Sequence, residues 1–324
     1  MTVKASQAAN RLPQEDKKTG RTDSMSSRFC AVSPEWVLVL VSALWGASFI
    51  VLSIALESIS PALLVTIRFG FGALLLALLL RGQLFRLNRT DWVAGIATGI
   101  CIFLGYFLQT VGLQWIPSSV SAFLTALYVP FVPLLQWIIY RRFPGWIATT
   151  GISAAFIGMM LIINPATMTL TGNLGEWFTI ASALACAGEI LVIAHFTTHC
   201  DPKAFCFTQL LTVSVLAFFY CIAFEPIRFT PTPELFICLA ILVGMIAFNQ
   251  YAITWAQKTV PALRAVLIYT LEPVFAGIIG WLFGEKLGVG ALFGGLLVIA
   301  SVLLSSWLPK FLAEKKRLQE ASHD

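Results

Sequence analysis

The strings ALYVPFVP (126–133) and IYTLEPVF (268–275) each set a proline, Pro130 and Pro273, at the centre of a long apolar stretch. Outward from them the chain repeats the same spacing. Asp91 matches Glu234, Gln114 matches Gln257 and Gly145 matches Gly288 at the offset that separates the two prolines. Earlier in each half, Glu35-Trp36 matches Glu176-Trp177 and Pro61 matches Pro202 at an offset shorter by two, so the halves differ in length by two. Self-similarity at a sustained offset is the mark of a chain built twice from one unit.

The apolar stretches fix what that unit is. A hydrocarbon core about 30 Å thick takes roughly 20 apolar residues in a helix. Ten stretches are long enough: 35–56, 61–80, 92–115, 119–140, 145–163, 175–195, 203–224, 234–256, 261–283 and 288–308. The composition agrees, with 58% hydrophobic and 11% charged residues, against about a quarter charged in a soluble domain. The expected fold is all-α integral membrane, ten transmembrane helices as two five-helix repeats. Five is odd, so the second copy enters from the opposite side and the repeats are inverted. The expected divisions are a polar, disordered tail (1–34), a first repeat (35–163), a connecting loop (164–173), a second repeat (174–308) and a basic tail (309–324). Short breaks between spans leave no room for a soluble catalytic domain, and the first apolar run is too long for a cleaved signal.

Charge gives the orientation. With an even number of spans both termini share a side, and that side collects six Lys and Arg in the first tail. It also takes Arg81, Arg86, Arg89, Arg141, Arg142, Lys203, Lys258 and four in the last tail, against Arg228 and Lys286 opposite. The positive-inside rule then places both termini in the cytoplasm. The net charge of +5 reads as topology, with membrane lipids as partners and no nucleic acid. The cysteines sit mostly inside spans and read as small apolar residues. His195, His199, Cys200 and Cys206 lie around the Asp201-Pro202 turn and read as a loop; no metal is expected.

Inverted repeats with discontinuous helices in matching positions build carriers whose sites lie near the midplane. Pro130, Pro133 and Pro273 are the expected helix breaks, each freeing the carbonyl four residues earlier, those of Ala126, Val129 and Tyr269. Glu272 lies close to the bilayer centre, where an ionised carboxylate needs a partner or water. It is therefore a candidate for carrying a proton or docking a substrate ammonium, with Glu189 behind it. Arg68 reads as a structural ion-pair partner, and Arg264 is too far from Glu272 for an intrahelical pair. Ser118, Ser121, Thr125, Tyr128 and Gln136 share one face of the fourth span, and Gln250, Thr254 and Gln257 form a second stripe. Tyr106 and Gln109 add polar reach, while Trp45 and Tyr269 supply aromatic walls. Together these suit a small zwitterion or amphipathic metabolite moved by alternating access. An enzyme is not expected, because the spans hold no Asp and only His195, at an end, among histidines. A cationic-drug or nucleoside carrier and a non-transporting receptor stay open, as does the oligomeric state.

Trp45-Gly46 with Phe49, Pro61 followed by Arg68, and Leu271-Glu272-Pro273 leading to Gly284-Glu285-Lys286-Leu287 resemble the EamA-type branch of the drug/metabolite transporter superfamily. The resemblance covers about residues 35–308. It implies a bacterial inner-membrane carrier without cofactors, commonly an exporter of amino acids or other small metabolites driven by proton exchange. The chain departs from the pattern at Arg141-Arg142, where the other half has Gly-Glu, and at Cys186-Ala187, where the first half has Trp-Gly. The two halves are thus not expected to touch a substrate symmetrically.

Overall fold

Helices account for every named element of the chain, as the apolar periods demand. The computed structural model describes residues 33–80, 87–141, 143, 145–163, 170–282 and 288–320. The first tail, most of the connecting loop, Arg142 and the Gly284-to-Leu287 element lie outside them. The helices are α1 (Pro34–Ser58), α2 (Pro61–Leu80), α3 (Arg89–Gly112), α4 (Ser118–Thr125), α5 (Tyr128–Tyr140) and α6 (Trp146–Ile163). They continue as α7 (Leu174–Phe196), α8 (Pro202–Phe224), α9 (Pro233–Ala256), α10 (Ala262–Tyr269), α11 (Glu272–Leu282) and α12 (Val289–Glu320).

Eight of these segments are long and apolar enough to cross a membrane, the α4–α5 and α10–α11 stretches each supplying one. Counting α1 as one span, bent by 40° between Ser48 and Ile50, makes nine. The apolar part of α12, Val289–Leu304, is shorter. No strand occurs among the described residues, only one isolated bridge between Ile59 and Phe229. The protein is therefore an all-helical, multi-pass membrane protein.

Local chemistry sets the helix starts. Asn88 and Asp91 close a capping box on α3, so two orphan N–H groups are met reciprocally. Asn173, Asp201 and Thr232 cap α7, α8 and α9 with side-chain oxygens. Pro202 and Pro233 follow their caps directly, where a missing N–H removes nothing.

The same logic explains the breaks. Pro130 is the third residue of α5 and Pro273 the second of α11, so each stands in the first turn of a new helix. Between the pieces the backbone tightens. Leu127 N–H donates to the Leu124 carbonyl at 3.2 Å, Val129 to Ala126 at 3.1 Å and Leu271 to Ile268 at 3.0 Å. The Ala126 carbonyl is consequently taken and not freed as expected, because a three-residue turn recruits it. Pro133 lies inside α5, which continues through it.

The dominant packings are α2 with α8, α3 with both α7 and α8, α1 with α9, and α6 with α12. At the α3–α8 crossing, a Cβ on Gly95 would collide with Thr208, including its backbone, so only glycine allows this approach. The α1–α2 connection is fastened to the α8–α9 connection. Ser60 N–H donates to the Arg228 carbonyl at 2.9 Å and Thr230 N–H to the Ser58 carbonyl at 2.8 Å. The Glu225 carboxylate accepts from Ala62 N–H at 2.9 and 3.1 Å and from Leu63 N–H at 3.3 Å. A carboxylate on the positive end of α2 meets orphan donors and the helix dipole together. Replacing Glu225 by Ala is expected to cost about 1–2 kcal/mol, read as a lower melting temperature of the detergent-purified protein. An unchanged melt would show that water serves these amides equally well. Elsewhere, Arg264 pairs with Glu35 at 3.1 Å, joining α10 to α1.

Candidate functional site

Both helix breaks open onto one cavity of about 70 Å³, room for about five waters. Thr125 ends α4 and Tyr128 begins α5; Tyr269 ends α10 and Glu272 begins α11. All four line the cavity, together with Trp45 from α1, Tyr106 and Gln109 from α3, and Glu189 from α7. A broken helix places the end of one piece and the start of the next at membrane depth, and here both pairs of ends face the same space.

The polar groups differ in how they are held. Gln250 donates from Nε2 to Glu189 Oε1 at 3.1 Å, and Gln209 donates to Gln250 Oε1 at 3.2 Å. Gln250 thus braces the wall from behind and does not line the cavity, unlike its expected place. Gln257 donates to the Tyr269 hydroxyl at 3.1 Å, and the Tyr269 ring meets Trp45 edge-on at 5.1 Å. Gln109 Nε2 donates to Thr125 Oγ1 at 2.9 Å. The Tyr128 hydroxyl and Trp45 Nε1 are buried with no hydrogen-bond partner among the described residues. The carboxyl of Glu272 has no hydrogen-bond or ion-pair partner among them either, in contrast to Glu189. Ser121 is fully buried but outside the lining, its hydroxyl also without a partner among the described residues. The side chain of Ser118 lies outside the described residues. Gln136, on the same stripe, lines a second cavity of about 330 Å³ with Tyr140, His195 and Pro261, where α5 and α7 end and α10 begins.

Several lining residues were not singled out from the sequence as site candidates. Ser48 and Cys186 both line the cavity. Each is the repeat counterpart of another lining residue, Ser48 of Glu189 and Cys186 of Trp45, at the offset that relates Pro61 to Pro202, so the repeat could have found them. Arg68 is the charged addition. It lines the cavity while 4% exposed, and the ion pair expected for it is absent: among the described residues only Arg264 pairs with a carboxylate. Instead its guanidinium lies 5.2 Å from the centroid of Tyr106 and 5.8 Å from that of Phe69. Tyr106 is remote in sequence, so this cation–π seat could not be read from the chain.

A multi-pass helical membrane protein with a charged, aromatic cavity at two helix breaks belongs to the class of membrane transporters. The chain belongs to the EamA-like transporter family, whose model matches residues 33–164 and 173–307. It is 28% identical to an uncharacterized transporter of Archaeoglobus fulgidus over 271 residues, 83% of this chain and 84% of that protein. It is 28% identical over 288 residues to the uncharacterized inner membrane transporter YedA of Escherichia coli K12, covering 84% of this chain and 90% of the relative. YoaV of Bacillus subtilis, an uncharacterized transporter, is 19% identical across 83% of this chain and 95% of its own. A solved structure described only as a crystal structure of protein superimposes with a TM-score of 0.71 at 16% identity, over 86% of this chain and 97% of that one. That likeness is one of fold. The family and these named relatives are transporters rather than enzymes.

Proposed function

We propose that the protein is a secondary active transporter of small metabolites in a bacterial inner membrane, exporting amino acids or related zwitterionic or amphipathic compounds in exchange for protons. It works by alternating access between two inverted five-helix halves, 35–163 and 174–308, with both termini in the cytoplasm. The observation that carries this reading is the single cavity at both helix breaks, holding Glu272 without a protein partner among the described residues. Discontinuous helices that meet at a midplane site are the recurring plan of such carriers.

The packing supports the inverted halves. Exchanging them turns α1 into α7, α2 into α8, α3 into α9, the α4–α5 pair into α10–α11 and α6 into α12. Under that exchange α3–α7 becomes α9–α1 and α3–α8 becomes α9–α2, and both partners of each exchange are packed pairs. The α2–α8 and α6–α12 pairs map onto themselves. The ten-span reading counts the bent α1 and the shorter α12 stretch as spans beside the eight longer ones. The inner-membrane placement is supported by the description of the YedA relative and the orientation by the Lys and Arg distribution.

The second reading is a carrier of cationic drug-like compounds or of nucleosides; two carboxylates and one guanidinium line the cavity, which favours its cationic form. Counterflow in proteoliposomes with radiolabelled amino acids, nucleosides and cationic drugs separates the two. Saturable exchange of neutral amino acids, stimulated by a pH gradient, is expected. Exchange confined to cations would favour the second reading, and no exchange of any class would overturn both.

A further inference from the structure

We propose that Arg68 is the anchor for a substrate carboxylate, so that the cargo is a zwitterion held between the guanidinium of the first half and the carboxylates of the second. The proposal rests on the carrier reading above and names the chemistry of its cargo.

The position of Arg68 requires an anion. It is the eighth residue of α2, about 10 Å along the axis from the helix start, and 4% exposed. A guanidinium that deep is costly unless it is paired and hydrogen-bonded. The protein meets only part of that need. The rings of Tyr106 and Phe69 lie against the cation at 5.2 and 5.8 Å, and such contacts are worth more when desolvated. Yet among the described residues Nε is buried with no hydrogen-bond partner and no carboxylate pairs with the group. Arg68 borders the cavity, so the missing anion is one that arrives through it. A planar carboxylate matches the fork with two parallel hydrogen bonds, which an ammonium point charge in place of arginine cannot reproduce.

The charges are divided between the halves in a way the repeat does not predict. The repeat counterpart of Arg68 is Gln209, that of Glu189 is Ser48, and that of Glu272 is Val129. Cation and carboxylates therefore sit on opposite halves of one cavity. A molecule with a carboxylate and an ammonium a few ångströms apart complements both walls at once. Leu52, Ile190 and Ile253 line the same space and leave an apolar side chain somewhere to go.

The test compares L-alanine, L-valine and L-leucine with their amides, which keep the ammonium and lose the carboxylate. Binding to the detergent-purified full chain is read by thermal shift, and exchange is read by counterflow. The wild type is expected to prefer each acid over its amide by about 30-fold or more, the effect of one buried charge pair. Arg68→Gln is expected to erase that preference, and Arg68→Lys to restore part of it. A purely structural role for Arg68 would weaken acid and amide alike and leave their ratio unchanged, which overturns the proposal. So does a wild type that binds amides as well as acids; this comparison needs no variant, should Arg68→Gln fail to fold. Exchange of amines without carboxylate preference removes the anchor but keeps the carrier, whereas no exchange of these or any other cargo class removes both.

Discussion

Glu272→Gln is expected to abolish stimulation of transport by a pH gradient while the protein remains folded and still exchanges substrate at equal pH, though less well, because Glu189 is left to meet the ammonium. Gln keeps the shape and the acceptor oxygen of the carboxyl but cannot release or take a proton. Glu272 is the group to change because it begins α11 at the break and borders the cavity with no protein partner among the described residues. Ionised there, it must be stabilised by water or by a substrate ammonium; protonated, it stands alone at much lower cost. A carboxyl whose charge depends on what fills the cavity is suited to exchange one for the other. Glu189 is the control. It accepts from Gln250 at 3.1 Å, and Glu189→Gln still offers a carbonyl oxygen to that donor, so gradient stimulation should survive. Intact stimulation in Glu272→Gln would move the coupling elsewhere. Complete loss of exchange as well as stimulation would make Glu272 indispensable for holding the substrate and leave the proton's carrier unassigned.

How much of this could be read in the chain follows the range of the forces involved. Apolar length and charge patterning are local, so the helices and their membrane character were legible from windows of about 20 residues. The cavity was partly legible because prolines announce where a helix must restart, and Thr125, Tyr128, Tyr269 and Glu272 all flank such restarts. What stayed hidden depends on helices meeting in space. Arg68 reads as an ion-pair residue until Tyr106, on the next helix, is found beside it. Gln250 reads as a wall residue until its amide is seen to stand behind Glu189. Ser121 shares a face with Thr125, yet only Thr125 lines the cavity, which the helical period alone does not tell. The carbonyl of Ala126 was expected to be free because proline removes one donor; the turn supplies another from Val129.

The Trp45-Gly46 pair gives the second large effect, and its reason is contact between backbones. A Cβ on Gly46 would lie 2.8 Å from the Glu272 carbonyl oxygen and 2.9 Å from the Ala276 nitrogen. These are main-chain atoms, which cannot rotate out of the way as a side chain can. Helix α1 therefore rests directly on the start of α11, and its neighbours use that closeness. Ser42 Oγ donates to the Ile268 carbonyl at 3.1 Å, and Trp45 meets Tyr269 edge-on. The repeat counterpart of Gly46 is Ala187, whose own Cβ rules out an equally close approach by α7. The departure from Trp-Gly in the second half thus marks a real difference in how the two breaks are supported. Gly46→Ala is expected to cost about 1–3 kcal/mol and to suppress counterflow beyond what the stability loss explains, because it levers Trp45 and Glu272 apart. Gly46→Val should leave little folded protein. Gly244, in the middle of α9 with nothing within 4 Å of an added Cβ, is the comparison: Gly244→Ala should be neutral or stabilising by up to about 1 kcal/mol. Melting curves and counterflow on the three variants read both quantities. Wild-type behaviour in Gly46→Ala would mean that α1 and α11 do not meet this closely in the membrane.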